Sequence, residues 1–170
     1  MSTPNNLTRE AIIALSPVQS TVQITKELNM AGYTRIDRVD YQEALIQTIQ
    51  TRKPSIAIIT SELPGRKTIG EIFAEIHAIS PDTKIIFVSK SISEDDLLNT
   101  YIADNICAWL LSERSDRTLS LAIEAAEANQ LFVDFAVNSS LRKIIREKQS
   151  VLTSSNANFA NLELLTEREA

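Results

Sequence analysis

The sequence is short of the residues that most often build chemical sites. It holds one cysteine, Cys107, in 170 residues. No internal disulfide can form, and a lone thiol suits a reducing compartment. Cys107 is expected to serve as a small buried apolar residue. The one histidine, His77, lies in an amphipathic stretch with no second histidine or cysteine close in sequence. A surface histidine is therefore expected there, rather than a metal ligand or a base. Only three glycines occur, and none belongs to a phosphate-cradling loop. No nucleophile elbow or paired acid and base stands out, so an enzyme is the least favoured class. Long apolar runs are missing, and the opening MSTPNNLTRE lacks the basic-then-apolar order of a signal peptide. No membrane partner is expected, and the cytoplasm is the expected location. With 17 Lys and Arg against 22 Asp and Glu, the net charge of −5 leaves no basic surplus for gripping nucleic acid.

What the chain does have is an alternation of short apolar runs with amphipathic stretches, the pattern of βαβ units around a parallel sheet. An apolar fraction of 44% is enough for a core without staples. Strands are predicted at 11–15, 34–39, 55–60, 84–89 and 106–111. The run Ile56-Ala57-Ile58-Ile59 is apolar on both faces, as a central parallel strand should be. Helices are predicted from Pro17 to Ala31-Gly32, with Val18, Val22, Thr25 and Leu28 on one face; after Asp40 as cap, with Ala44, Leu45, Thr48 and Ile49 inward; and around Ile69, Ile72, Phe73 and Ile76. A fourth carries Leu97, Leu98, Tyr101 and Ile102 behind a Ser93–Asp96 cap, and a fifth runs from Ser115 through Asn129. Five strands and five helices predict a flavodoxin-like doubly wound sheet, order 2-1-3-4-5, with an extra C-terminal helix. That extra amphipathic segment, about 132–148, has Val137, Leu141, Ile144 and Ile145 on one face, and its basic residues read as a solvated side.

Two segments carry a family resemblance. Thr60-Ser61-Glu62-Leu63-Pro64-Gly65 after a buried strand resembles the phosphorylation loop of response-regulator receivers, in which an aspartate sits four residues before the proline. Pro81 to Ser89 and then Ala108-Trp109-Leu110-Leu111-Ser112-Glu113 are similar to the fourth strand and to the fifth with its lysine turn. The likeness covers roughly Glu10 to Asn129. The closing Leu165-Thr166-Glu167-Arg168-Glu169-Ala170 resembles the opening of a LuxR-type helix-turn-helix domain, one linker further on. The chain thus resembles an atypical receiver of a NarL/FixJ-type response regulator, cut as its DNA-binding domain begins. The implied organisation is a receiver-like domain over 8–130, a linker helix over 131–149, a flexible linker over 150–164 and the truncated helix-turn-helix start at 165–170.

The departures from the receiver pattern carry the functional argument. The resemblance implies acidic magnesium ligands where this chain has Leu15 and Ser16, a phospho-accepting aspartate at Thr60, and a lysine at Ser112. Only the strand-four hydroxyl, Ser89, and a strand-five aromatic, Trp109, keep the family's residue type; the latter stands where receivers have a switch aromatic. A threonine is a poor nucleophile without a base, magnesium needs anionic oxygens, and serine cannot neutralise a phosphoryl group. Aspartyl phosphotransfer is therefore not expected, nor a metal or cofactor. Glu62 and Glu113 share these loops, but solvated carboxylates are the preferred reading. The hydroxyls of Ser16, Thr60, Ser61, Ser89 and Ser112 gather at the ligand-binding edge of such sheets, where satisfying loop backbone groups is their plainer role.

Four function classes follow. The leading one is a phosphorylation-independent receiver-like domain controlling a transcription regulator, through homodimerisation or a bound partner, with DNA contacted by the missing C-terminal domain. The alternatives are a small-molecule sensor holding an apolar or pigment-like ligand, a protein-binding adaptor without DNA binding, and the disfavoured enzyme. A homodimer is expected through the alanine-rich fifth helix, with Leu119, Ala122, Ile123 and Ala126 as candidate face.

Overall fold

The computed structural model describes residues 9–16, 21–91, 105–112 and 115–150. The chain divides into two compact units, Met1–Val137 and Asn138–Ala170. In order come β1 (Arg9–Ala14), α1 (Val22–Met30), β2 (Tyr33–Val39), α2 (Gln42–Arg52), β3 (Ile56–Thr60), α3 (Ile69–Ile79), β4 (Lys84–Ser89), β5 (Ile106–Leu111), α4 (Ser115–Glu127) and β6 (Phe132–Val133). Residues 135–150 are helical. The sheet is parallel throughout, with strand order β2-β1-β3-β4-β5-β6.

Alternation along the strands builds two apolar layers. Ala11, Ile13, Ile56, Ile58, Ile86, Ala108 and Leu110 point to one face, where Leu28 of α1 and Leu119, Ala122, Ile123 and Ala126 of α4 complete the cluster. The intervening residues, Ile12, Ile59 and Phe87 among them, are equally buried, as are Leu45 and Ile49 of α2 and Ile72, Phe73 and Ile76 of α3. Each such side chain contributes on the order of 1.5–3 kcal/mol through removal from water. The edge strand β2 is charged and half-exposed, which keeps its open side from pairing with another chain.

Four points differ from the sequence expectation. The sheet has a sixth strand: Phe132 and Val133 run beside β5, opposite Ala108 and Trp109. The periodicity of 132–148 had placed Phe132 in a helix. A tight reversal ahead of it explains the change. Asn129 takes a positive φ of 55°, and the N–H groups of Asn129 and Gln130 reach back to Ala126 and Ala125 carbonyls, a Schellman-type stop. The helix then starts behind Asp134, whose Oδ1 accepts the Ala136 N–H at 3.1 Å. Second, α1 begins at Val22, and Val22 is exposed rather than inward. Third, α2 is capped at Tyr41, not Asp40, without a side-chain cap; the Gln42 N–H finds the Pro64 carbonyl at 2.9 Å instead. Fourth, a capping box not expected from the sequence lies at Thr68 and Glu71, ahead of α3. The expected helix around Leu97 to Ile102, its Ser93–Asp96 cap, Val18, Glu113 and the segment 151–170 lie outside the described residues. Among the described residues, no helix is long and apolar enough to cross a membrane.

Candidate functional site

Strand register brings the sequence-predicted positions to neighbouring tips at the carboxyl edge of the sheet. Ala14 pairs with Ile59, so Leu15 comes level with Thr60. Thr60 in turn pairs with Val88, and Ser89 with Leu111, immediately before Ser112. In open α/β folds this edge is where ligands bind.

The groups there are neutral, and Leu15, Thr60 and Ser89 among them are buried. Leu15 is buried and gives its N–H to the Val39 carbonyl at 3.2 Å. Thr60 keeps only 2% of its surface, and its Oγ1 accepts the Glu62 N–H at 3.4 Å. Its hydroxyl oxygen thus closes the first turn of the loop. Ser61 donates its N–H to the Val88 carbonyl at 3.0 Å, fastening the loop to the next strand. Ser16 and Ser112 are half-buried and both are engaged. Further out on this rim Lys90 meets Glu62 at 3.5 Å. Both are well exposed, so solvent screens the pair. Lys90 was not among the sequence candidates, although its place directly after Ser89 could have suggested it.

Magnesium, which the family resemblance implies at this edge, does not fit the residues described there. Leu15 offers hydrocarbon, and Ser16 and Thr60 offer hydroxyls, so no anionic oxygen stands at these tips. Among the described residues, no group of three or more His, Cys, Asp or Glu side chains converges.

Ser89 and Trp109, by contrast, are joined directly. Trp109 Nε1 donates to Ser89 Oγ at 2.7 Å, and both residues are buried. The indole packs on Phe87 with ring centres 5.5 Å apart, and Phe87 meets Phe73 of α3 edge-on at 5.3 Å. A continuous aromatic row therefore links α3, β4 and β5.

The four candidate dimer-face residues do not lie on a face. Leu119, Ala122, Ile123 and Ala126 are all essentially inaccessible, because this stripe of α4 packs on the sheet. Alanine there lets the helix approach the strands closely. The apolar side chain that α4 turns outward is Leu121, 48% exposed. His77 is exposed, while Cys107 is half-buried with its thiol pKa raised by burial.

No protein-family model and no curated protein matches the chain. Solved structures do. The isolated receiver domain of RcsB from Salmonella enterica serovar Typhimurium, with the phosphomimetic beryllofluoride, matches at TM-score 0.69 and 20% identity, over 79% of this chain and 98% of that one. The fold is that of response-regulator receiver domains. The Escherichia coli RcsB receiver, non-phosphorylated, matches at TM-score 0.65 and 20% identity, over 75% of this chain and 98% of that one. A DNA-binding response regulator of the LuxR family from Staphylococcus aureus matches at 0.58 and 24%, over 69% and 98%. At these identities the likeness is one of fold.

Proposed function

We propose that this chain is the receiver-like part of an atypical response regulator, non-enzymatic and working without aspartyl phosphorylation. The observation that carries the proposal is Thr60 at the tip of β3: a buried hydroxyl, occupied by the loop backbone, where a receiver needs an exposed carboxylate. A threonine so placed, buried and with its oxygen taken by the Glu62 N–H, is a poor and poorly accessible nucleophile. The Ser89–Trp109 hydrogen bond retains a coupling between the tip of β4 and the body of β5. An input other than phosphate would act through that pair.

The output half rests on two supports, the helix-turn-helix-like residues 165–170 and solved neighbours described as DNA-binding or as dynamic for DNA interaction. The proposed organisation keeps the receiver-like domain over 8–130, linker helix over 131–149, flexible linker over 150–164 and the start of the DNA-binding domain at 165–170. Homodimerisation is proposed as well, through surfaces other than the buried stripe of α4.

Incubation with acetyl phosphate and magnesium tests the central claim by intact mass. The expected result is an unmodified protein. A stable phosphoprotein at Thr60 or beside it overturns the proposal. The output half is tested on the protein as its gene encodes it, by electrophoretic shift of promoter DNA. Self-association is tested by sedimentation, where a strict monomer at high micromolar concentration removes the dimer.

A further inference from the structure

The loop that starts at Thr60 has a second side. There α2, α3 and residues 64–67 line an open groove of about 670 Å³. Half-buried Ile46 and exposed Pro64 give it hydrocarbon over the closed core residue Ile72, and Tyr41 borders it with half of its surface exposed. A largely apolar, concave space of that size is in the range that accepts small molecules.

The groove is built in advance. Gln42, nearly buried, donates Nε2 to the Lys67 carbonyl at 2.8 Å and accepts the Lys67 N–H on Oε1 at 3.0 Å. Its own N–H donates to the Pro64 carbonyl at 2.9 Å. A Cβ on Gly65 would stand 2.0 Å from Gln42 Oε1, so any larger residue there would displace the Gln42 side chain from its hydrogen bonds. Three hydrogen bonds hold this wall in place before any ligand arrives, which lowers the ordering cost of binding.

Its charges are unequally engaged. Lys67 is held by Glu75. Arg66 and Glu43 have no ion-pair partner among the described residues. We propose that this groove binds a small amphipathic carboxylate, with an aromatic or branched body on Tyr41, Ile46 and Pro64 and its carboxylate on Arg66. A guanidinium fork matches a carboxylate in two parallel hydrogen bonds. The Tyr41 ring offers a flat apolar surface and its hydroxyl a further donor. Glu43 on the same rim disfavours anions, and a doubly charged phosphate ester more than a monocarboxylate. The proposal extends the phosphate-independent reading by naming a chemical class of input; only its regulatory meaning rests on that reading.

The test titrates the isotope-labelled full chain with phenylbutyrate and with phenylbutyramide, an uncharged ligand of the same body. Amide shifts are expected within 41–47 and 64–67, with the carboxylate bound about tenfold tighter. Arg66→Gln should abolish that preference, and Glu43→Gln should enlarge it severalfold. Both replace exposed side chains, and an unchanged thermal midpoint verifies folding. Equal affinity for acid and amide, shifts that map elsewhere, or no binding of either at millimolar concentration overturns the proposal. If acetyl phosphate modifies the protein while the acid still binds, the regulatory reading falls and the groove stands. The opposite pair of results removes the groove alone.

Discussion

The two ends of the sheet are opposites in charge. At the carboxyl edge, Leu15, Thr60 and Ser89 are neutral and buried, and the ion pair of Lys90 with Glu62 lies in water. At the amino edge, Arg9 reaches Glu127 at 3.0 Å, caps the Ala31 carbonyl at 3.2 Å and lies over the Tyr33 ring at 5.9 Å. Lys53, Asp82 and Lys84 border the same recess. The difference teaches that the ionic groups here hold elements together, while the expected reaction edge is packed like core.

The largest effect should come from putting charge back where the core has closed. Thr60→Asp is expected to cost about 2–4 kcal/mol at pH 7, because a carboxylate would lose its water without gaining a cation. Burial raises its folded pKa above the unfolded value, so the penalty is absent below the unfolded pKa and grows as pH rises. Urea unfolding at pH 4 and pH 7 measures it. Wild-type stability at both would mean that the edge already holds an unrecognised cation.

The amino edge gives the next effect. Tyr33 is pushed up to about 12, first by burial and then by the Glu127 carboxylate, which also accepts its hydrogen bond, against an opposing pull from Arg9. The folded state holds this proton more tightly than the unfolded chain does. Its contribution, about 2 kcal/mol, is therefore complete below pH 10 and lost as pH rises towards 12. Ultraviolet titration of the phenolate in wild type and Glu127→Gln should show the transition moving down in the variant. An unchanged midpoint would remove the assigned role of Glu127.

A smaller effect belongs to the Ser89–Trp109 pair. Trp109→Phe and Ser89→Ala should each destabilise, and their double-mutant cycle should leave a coupling of about 1 kcal/mol. Additive losses would mean that the 2.7 Å contact contributes nothing specific. Arg9→Gln should change least, about 0.5 kcal/mol and less in high salt, since its pair with Glu127 is half in water. It should also drive the Tyr33 transition further up.

Much of the sheet was legible because parallel central strands must be apolar on both faces: β4 and β5 fall on the predicted residues, and β3 differs by one. The site positions were legible for a different reason, their spacing from Pro64 and from the strand ends. What escaped was set by contacts distant in sequence. Asp40 is a better intrinsic cap than Tyr41, but Pro64 supplies the partner that α2 needs. Leu119, Ala122, Ile123 and Ala126 form a helical stripe that reads equally as core or as interface, and only the neighbouring sheet decides. Two signals were present and unread: Thr68 with Glu71 three residues on, and Asn129 as a left-handed helix stop.

The short sixth strand gives Trp109 a double attachment. Its indole is moored to the end of β4, while its main-chain oxygen receives the Asp134 N–H at 3.0 Å, and Asp134 in turn anchors the first turn of the next helix. One residue is thus a pivot between the quiet edge of the sheet and the point where the backbone departs from it. A tug on the indole would be felt at that departure without crossing any loop.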